Sequence, residues 1–436
     1  MPKVALVFPY FRTRAQTEML FPPLGPASLT AQLRKRGIET RIFDCTFQTF
    51  AQVRKALIGY QPDIVGISSM ITINRNTFRF AELVRERLPE ALIVAGGPMP
   101  TLYPERYNGP FDLVFRGEAD LSFPNFCQDY FTLELPRRNL YKLPLADYAG
   151  LYAHTLDLQV DNPCAHHSEK EIRLFPLPER SDFDHARYQQ AWLAKDGTKT
   201  TSIMITLGCP FDCDFCSRPI YGNLYRRRDL NAVFEEIEQI RRLGYDSLWI
   251  ADDNFTLNLN FLREFCQGMI GRNMSWSCLS RSTGINAEIA QLMKAAGCRR
   301  VYLGLETGSP ETLRLMNKRA TVEDGMNAVH HFRQAGIQVA AFFIVGYPGE
   351  TIASIEKTFE FALSLPLDEI SFNVPFPLPG SSLFDRVSGI DPTKDWSIEN
   401  DVTFVYTSEF DPRWLRRRVR QTMRAFAEKR GLSPGG

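Results

Sequence analysis

Three cysteines crowded into eight residues are the side chains of this chain best suited to bind a metal. The chain has nine cysteines, an odd number without a secretory signal, which argues against a disulfide framework. Cys209, Cys213 and Cys216 occur in the run GCPFDCDFCSRP, directly after a predicted strand. The other six are scattered singly and are predicted to be buried small apolar residues: Cys45, Cys127, Cys164, Cys266, Cys278 and Cys298.

Three interpretations of this cysteine triad compete. A spacing of four and then three residues could place the cysteines on one buried helix face, but Gly208 and Pro210 favour a loop at a strand end. Structural zinc usually takes four protein ligands, and no fourth Cys or His follows nearby. A [4Fe–4S] cluster with three thiolate ligands leaves one iron open to a small chelating molecule. The cluster is the favoured interpretation, and zinc and core packing remain the alternatives.

Residues 1–135 are predicted to form an α/β domain. Short β-rich runs alternate there with amphipathic stretches, which is the pattern of a parallel sheet. The strands are apolar on both faces, as expected when helices cover both sides of the sheet. The pattern predicts a doubly wound, flavodoxin-like (Rossmann-type) domain whose ligand lies beyond the carboxyl ends of the strands. The predicted strands are 4–11, 40–44, 63–70, 91–97 and 112–117.

The loops at these predicted strand ends are rich in small residues. Such residues let the backbone approach a ligand closely. Ordinary turn chemistry explains the same composition equally well, so both interpretations stay open at this point. The residues are Gly66, Ser68, Ser69, Gly96, Gly97 and Gly117.

Residues 196–385 are predicted to form a second α/β unit. Periodicity fades and prolines recur over 136–195, which predicts an irregular linker with one or two strands. Strand and helix patterns then alternate again, which predicts a partial parallel (β/α)6 barrel with its active site at the carboxyl ends of the strands. Residues 386–436 are predicted to be a C-terminal extension with a basic helix. The predicted barrel strands are 202–208, 246–254, 274–281, 299–308, 338–349 and 369–380.

The CxxxCxxC run after the first barrel strand resembles the signature of the radical S-adenosylmethionine (SAM) family, with Phe215 at its aromatic position. Later strand ends also resemble family segments: DDNFT (252–256), Arg281, LGLETGS (303–309) and VGYPGET (345–351). The resemblance implies that the open iron binds the amino and carboxylate groups of SAM. It also implies that reduction of the cluster cleaves SAM to methionine and a 5′-deoxyadenosyl radical.

The same resemblance implies roles for the strand-end residues. Glu306 is expected to contact the ribose or amino group of SAM, and Arg281 its carboxylate, since a zwitterion needs one anion and one cation facing it. The backbone around Val345 and Gly346 is expected beside the adenine. The implied SAM-binding set is Phe215, Asp252, Arg281, Glu306, Val345 and Gly346, with Cys209, Cys213 and Cys216 as the cluster ligands.

The order of a flavodoxin-like domain and then this barrel resembles the cobalamin (B12)-binding subfamily of radical SAM enzymes, which is methyltransferase-like. No histidine precedes His154, so a cobalt ligand from a DxHxxG motif cannot come from the first domain. The resemblance implies base-off cobalamin without a histidine ligand, and loss of the cofactor is the alternative. The implied cobalamin-binding residues are Pro22, Gly25, Gly66, Ser68, Ser69, Gly96, Gly97, Gly117 and Glu118.

The expected function is therefore a cobalamin-dependent radical SAM methyltransferase. Its expected acceptor is an unactivated carbon, or less often phosphorus, of a small molecule or biosynthetic intermediate. One alternative is a radical cyclase or rearrangement enzyme that uses B12 without net methyl transfer or has lost it. The other is a non-catalytic corrinoid or iron–sulfur sensor. No catalytic acid or base is predicted.

Composition limits the partners. Fifty-one basic and 50 acidic side chains leave a net charge of +1, which argues against nucleic-acid binding. No apolar run approaches the ~20 residues of a membrane span, and MPKVALVFPYF is predicted to be a strand and not a signal peptide. We expect a cytoplasmic enzyme with a small-molecule substrate and an external one-electron reductant such as flavodoxin or ferredoxin. The sequence does not predict an oligomeric state.

Overall fold

The computed structural model describes residues 2–12, 20–155, 158–390 and 404–431, which build two main sheets flanked by helices. The strands are β1 (Lys3–Phe8), β2 (Glu39–Asp44), β3 (Ile64–Ser68), β4 (Leu92–Gly96), β5 (Leu113–Phe115), β6 (Leu151–His154), β7 (Gln159–Asp161), β8 (Thr200–Ile203), β9 (Thr206–Leu207), β10 (Arg226–Arg227), β11 (Ser247–Ile250), β12 (Ser275–Ser280), β13 (Cys298–Glu306), β14 (Gln338–Ile344) and β15 (Glu369–Asn373).

The α-helices are α1 (Leu24–Lys35), α2 (Phe50–Tyr60), α3 (Asn74–Arg87), α4 (Pro98–Leu102), α5 (Ser122–Thr132), α6 (Glu169–Ile172), α7 (His185–Asp196), α8 (Leu230–Arg242), α9 (Leu259–Met269), α10 (Ala287–Ala295), α11 (Pro310–Leu315), α12 (Val322–Gln334), α13 (Ile352–Ser364), α14 (Ser382–Arg386) and α15 (Pro412–Lys429). None of the helices in the described ranges is long and apolar enough to cross a lipid bilayer.

The first sheet has the strand order β2-β1-β3-β4-β5-β6-β7. Its first five strands pair in parallel, in the order typical of flavodoxin-like folds. An apolar cluster lies on each face of the sheet, one around Val65 and Ile93 and the other around Leu6 and Val94. The predicted doubly wound fold is therefore confirmed.

Strands β6 and β7 fall within 136–195, where the sequence predicts a linker with one or two strands. They pair antiparallel, with Val114 of β5 opposite Tyr152 of β6. The segment therefore extends the first sheet by a short antiparallel edge.

The second sheet has six strands in the order β8-β11-β12-β13-β14-β15. All of its pairs are parallel and follow chain order. Strands β8 and β15 form the two edges and do not pair with each other in the described part of the chain. This is the predicted partial (β/α)6 barrel, and it is confirmed. Its strands all end at the same edge, so the loops that follow them gather there.

Helix α8 illustrates how the sequence fixes a barrel helix. The Asp229 carboxylate accepts a hydrogen bond from the Asn231 backbone N–H at 2.9 Å and so caps the first turn. Val233, Ile237 and Ile240 lie on one face of the helix and are fully buried against the sheet.

Glu236 on the same helix holds a buried ion cluster. Its carboxylate lies 2.7 Å from Arg180 and 2.7 Å from Arg228. Burial alone would raise the pKa of Glu236, but the two guanidinium groups hold it below its usual value. Arg180 comes from the segment between the sheets and Arg228 from the loop before α8, so one carboxylate fastens both to the barrel.

We predict that Glu236→Gln lowers the free energy of unfolding by about 3–5 kcal/mol, because the buried Arg180 and the partly buried Arg228 lose their counter-charge. Urea unfolding followed by circular dichroism measures the change. Glu238→Gln is the matched control, since Glu238 pairs with Arg241 and Arg272 on the partly exposed side of the same helix. It should cost less than about 1 kcal/mol. Equal losses in the two variants would contradict the assignment.

Candidate functional site

A cavity of about 580 Å³ separates the carboxyl ends of the two sheets. On one side it is lined by residues that end the strands of the first sheet, including Phe8, Ser68 and Gly96. On the other side it is lined by residues at or near the ends of β8 and β11, including Met204 and Ala251. The strand ends of both sheets therefore face one shared space.

Every residue that the sequence predicts for cobalamin lies on the wall of this cavity. The small residues are required there by close packing. A Cβ atom added at Gly66 would lie 2.8 Å from Leu6 Cδ2. One added at Gly97, whose φ is 108°, would lie 2.6 Å from the Ser69 carbonyl oxygen. The cavity-lining set is Pro22, Gly25, Gly66, Ser68, Ser69, Gly96, Gly97, Gly117 and Glu118.

Glu118 ties this wall to the barrel. Its Oε1 accepts hydrogen bonds from Arg226 at 2.5 Å and His166 Nδ1 at 2.8 Å, and its Oε2 accepts one from the His167 backbone N–H at 3.0 Å. Arg226 lies in β10, so the Glu118 carboxylate joins the end of the first sheet to this strand. Both Glu118 oxygens are occupied by the chain's own donors, which favours a role in shaping the wall.

The sequence analysis missed two further polar residues of the cavity wall. Asp120 accepts a hydrogen bond from Ser28 Oγ at 2.5 Å, and burial raises the pKa of its carboxyl group. His167 lines the same cavity. The only sequence signal for His167 was the His166–His167 pair inside a segment predicted to be a linker.

The cysteine loop begins immediately after β9. Gly208 has a φ of 77°, and an added Cβ atom would lie 2.1 Å from the Leu224 carbonyl oxygen, so only glycine fits there. Cys209 and Cys213 are each 9% exposed. Burial raises the pKa of Cys216 to about 11. A metal that binds it must therefore displace a proton, because the thiolate is the ligand form.

Backbone hydrogen bonds and apolar packing hold the middle of this loop. The Asp214 N–H donates to the Met316 carbonyl at 2.9 Å, and the Leu383 N–H donates to the Asp214 carbonyl at 2.9 Å. Phe215 packs against an apolar cluster of Met316, Tyr347 and Leu383. The predicted aromatic position therefore serves the fold as an anchor of the loop.

Asp252 orients the chain that leads into the loop. Its Oδ1 accepts a hydrogen bond from the Ile205 N–H at 2.8 Å, and its Oδ2 accepts two from Thr206, from N–H and from Oγ1, each at 2.7 Å. Burial raises the pKa of Asp252 to about 7. Both oxygens are occupied, so in this structure Asp252 positions the residues ahead of Cys209.

Arg281 follows β12 and lies against the cysteine loop. Its Nη1 lies 3.3 Å from Cys213 Sγ, and its guanidinium carbon lies 3.8 Å from the centre of the Phe211 ring. Its Nη2 donates to the carbonyls of Lys318 and Arg319. The structure thus brings this predicted residue to the cysteines.

Glu306 ends β13 beside the same loop and forms an ion pair with Lys318, each side chain being only 7% exposed. Glu306 has a φ of 64°, a left-handed conformation that non-glycine residues seldom adopt. The Lys318 Nζ lies 5.8 Å from the centre of the Phe215 ring. The sequence analysis missed Lys318, because it lies in a short run without periodic signal.

Val345 and Gly346 follow β14. The Val345 side chain is buried among Phe359 and Leu415, and its N–H donates to the Asn373 carbonyl at 2.9 Å. A Cβ atom added at Gly346, whose φ is 80°, would lie 2.8 Å from the Phe404 ring. Their side-chain positions thus face the C-terminal segment, whereas the predicted adenine contact concerns their backbone.

The donor set of the loop fits an iron–sulfur cluster better than a single ion. Within the described ranges, no three His, Cys, Asp or Glu side chains are grouped to hold one metal ion, the cysteine triad included. A cubane cluster binds each thiolate to a different iron and so does not need the sulfurs around one centre. The buried cation of Arg281 beside Cys213 also suits an anionic thiolate-bound group.

We predict that Asp252→Ala reduces the iron bound per chain after anaerobic reconstitution. The substitution leaves the N–H groups of Ile205 and Thr206 buried without acceptors, at about 1–3 kcal/mol each, and frees the segment before Cys209. Glu323→Gln is the matched control, because this side chain of α12 accepts no hydrogen bond among the described contacts and is exposed. Full iron content in Asp252→Ala would contradict the positioning role.

Comparisons with known proteins agree with this fold. Residues 203–362 match the Radical SAM superfamily, and residues 13–126 match the B12 binding domain. The first match runs from the last residue of β8 into α13 of the barrel, and the second includes β2 to β5 of the first sheet.

Two curated proteins and one solved structure are similar to most of the chain. An uncharacterised methyltransferase of Pyrococcus horikoshii is 29% identical over 84% of this chain and 78% of its own length. The anaerobic magnesium-protoporphyrin IX monomethyl ester cyclase of Rubrivivax gelatinosus is 26% identical over 88% and 69%. The structure of the radical SAM methyltransferase TsrM of Kitasatospora setae, with cobalamin and a [4Fe–4S] cluster bound, superposes with a TM-score of 0.74 and 19% identity over 88% of this chain and 74% of that chain.

Proposed function

We propose, for a chain that belongs to the radical SAM enzymes with an N-terminal B12-binding domain, that it transfers a methyl group from SAM by way of cobalamin. The proposed acceptor is an unactivated carbon, or less often phosphorus, of a small molecule or biosynthetic intermediate. The observation that carries the proposal is the shared cavity: Leu207 and Ile220, on either side of the cysteine loop, line the same space as the small residues of the first sheet.

The cysteine loop would hold the cluster through Cys209, Cys213 and Cys216. When bound, the cluster and cobalamin supply the radical and methyl-transfer chemistry. The chain excludes water from the ligands, since two of the three cysteines are buried. It also fixes the loop through the Asp252 and Asp214 contacts, so the ligand geometry is set before the cofactor binds.

SAM would lie between the loop and the ends of β12, β13 and β14. We propose that Glu306 faces its amino group or ribose, and that the backbone at Val345 and Gly346 lies beside its adenine. The Lys318 ammonium now pairs with Glu306. A substrate ammonium or hydroxyl group that reaches this carboxylate would compete with Lys318 for it.

Cobalamin would occupy the cavity in the base-off form, without a histidine ligand from the first domain. The open space at Gly25 would admit it, and Glu118 would shape the wall through its pairing with Arg226. An external flavodoxin or ferredoxin is the proposed electron donor, and the cytoplasm the proposed location.

A radical cyclisation is the second candidate. It is favoured by the similarity to a cyclase over 88% of this chain. The two candidates differ in the fate of the SAM methyl group, which only a methyltransferase moves to another molecule.

We predict that the reduced, reconstituted protein moves label from methyl-labelled SAM to the bound corrinoid, releases S-adenosylhomocysteine, and also forms 5′-deoxyadenosine. Mass spectrometry of the quenched reaction measures all three products. Each of Cys209→Ser, Cys213→Ser and Cys216→Ser should abolish the formation of 5′-deoxyadenosine, because the cluster loses a ligand. Cys164→Ser, at an exposed cysteine outside the loop, should retain it.

A protein that forms 5′-deoxyadenosine but never S-adenosylhomocysteine would contradict methyl transfer and favour the cyclase. Formation of neither product by the iron-loaded protein would contradict both candidates.

We predict that Gly25→Phe weakens binding of hydroxocobalamin at least about tenfold without changing the unfolding midpoint. Gly25 is the second residue of α1 and lines the cavity, and an added Cβ atom there meets nothing within 4 Å. The substitution therefore fills the cavity and leaves the packing intact. Absorption titration of the corrinoid gives the affinity.

Gly59→Phe is the control for this change. Gly59 lies in α2, is equally open, and does not line the cavity. Undiminished binding in Gly25→Phe would place the corrinoid elsewhere.

A further inference from the structure

We propose that Arg281 is the built-in counter-charge of the cysteine-held cluster and raises its reduction potential, before SAM binds. This inference rests on the proposed iron–sulfur function. It differs from the role implied by the sequence resemblance, in which Arg281 pairs with the SAM carboxylate.

The first observation is a buried cation without a carboxylate. Three arginines of the described residues are buried, namely Arg180, Arg226 and Arg281 at 5%, 6% and 6% exposure. Arg180 lies 2.7 Å from Glu236, and Arg226 lies 2.5 Å from Glu118. No described carboxylate pairs with Arg281 in this way, and its Nε has no hydrogen-bond partner.

A buried positive charge destabilises the folded protein unless an anion compensates it. A guanidinium stays protonated at any physiological pH, and an unpaired buried charge destabilises a protein by several kcal/mol. The Glu306 carboxylate does not compensate Arg281, because it already pairs with Lys318. The acceptor that remains within reach is Cys213 Sγ, 3.3 Å from Arg281 Nη1.

The second observation is that the guanidinium is fixed toward this sulfur. One face lies 3.8 Å from the centre of the Phe211 ring. Its Nη2 is bound to the backbone carbonyls of Lys318 and Arg319. One contact comes from the cysteine loop and the other two from the segment after α11, so together they hold Nη1 at the sulfur without a substrate carboxylate.

The positive charge of Arg281 affects the reduction potential of the bound cluster. Three thiolates make the bound cluster anionic, and reduction by one electron adds a further negative charge. A hydrogen bond to a ligand sulfur and a nearby positive charge in a buried site stabilise the reduced state more than the oxidised state. Arg281 therefore eases the electron transfer that must precede SAM cleavage.

The test is a redox titration of the iron-loaded protein without SAM, with the reduced cluster followed by electron paramagnetic resonance. We expect Arg281→Gln to shift the midpoint to more negative potential. At the wild-type midpoint, the reduced-to-oxidised ratio should fall about tenfold, the loss of one charge-assisted hydrogen bond. Arg281→Lys keeps the charge but not the stacked, two-pronged geometry, and should show a smaller shift in the same direction.

Arg300→Gln is the matched control. Arg300 lies near the start of β13, where it pairs with Asp196 at the opposite end of the barrel from the cysteines. The midpoint potential of the cluster in Arg300→Gln should equal that in the wild type. The affinity for SAM is measured on the same samples.

An unchanged midpoint in Arg281→Gln, with only a loss of SAM affinity, would overturn the proposal in favour of the carboxylate role. If Arg281→Gln does not assemble a cluster, the shift in Arg281→Lys decides the question. Failure of the proposed function is distinguishable, because the wild type would then give no four-iron signal at all.

Discussion

In both sheets the carboxyl ends of the parallel strands face one cavity, and the rest of the molecule depends on this arrangement. Parallel strands that pair in chain order must all end at the same edge. Residues far apart in sequence, such as Gly66 and Met204, therefore line the same cavity. Glu118 joins the first sheet to β10 through the buried Arg226, and Glu236 joins the segment between the sheets to the barrel through the buried Arg180.

The cysteine loop is ordered by the chain's own polar groups. Asp252 fixes its entry, Asp214 its middle and Arg281 its flank. Each of these groups is buried or partly buried, so each hydrogen bond is made in a medium where a missing partner is costly. The loop can thus keep its sulfurs in place while one side remains accessible to a substrate.

Sequence periodicity predicted the strands of both sheets and the cysteine loop, because these features depend on local patterns of apolar residues and on covalent spacing. The antiparallel edge of β6 and β7 was harder to predict. Its strands are short and its partner β5 lies in another segment, so pairing depended on tertiary contacts. The flavodoxin-like and partial-barrel architectures were nevertheless correct in strand order.

The sequence indicated the glycines that line the cavity and the cysteines of the loop, but not the ion pairs around them. Small residues and thiols are recognisable from the residue type alone, whereas the fold determines which partner a charged residue contacts. Lys318 and His167 had no sequence signal that separates them from surface residues. Asp252 and Glu118 were recognised by position, yet the structure commits their oxygens to backbone and arginine donors. Their predicted cofactor contacts remain predictions.

The central claim is that one chain holds a cluster on the cysteine loop and a corrinoid in the cavity beside it, which Leu207 and Ile220 on either side of the loop help to line. The most direct measurement is the spin relaxation of the Co(II) corrinoid in the doubly loaded protein, recorded with the cluster oxidised and then reduced. If the two cofactors lie side by side, reduction of the cluster will shorten the relaxation time of the cobalt spin. Identical relaxation in both states, with both cofactors present at full occupancy, would contradict the account.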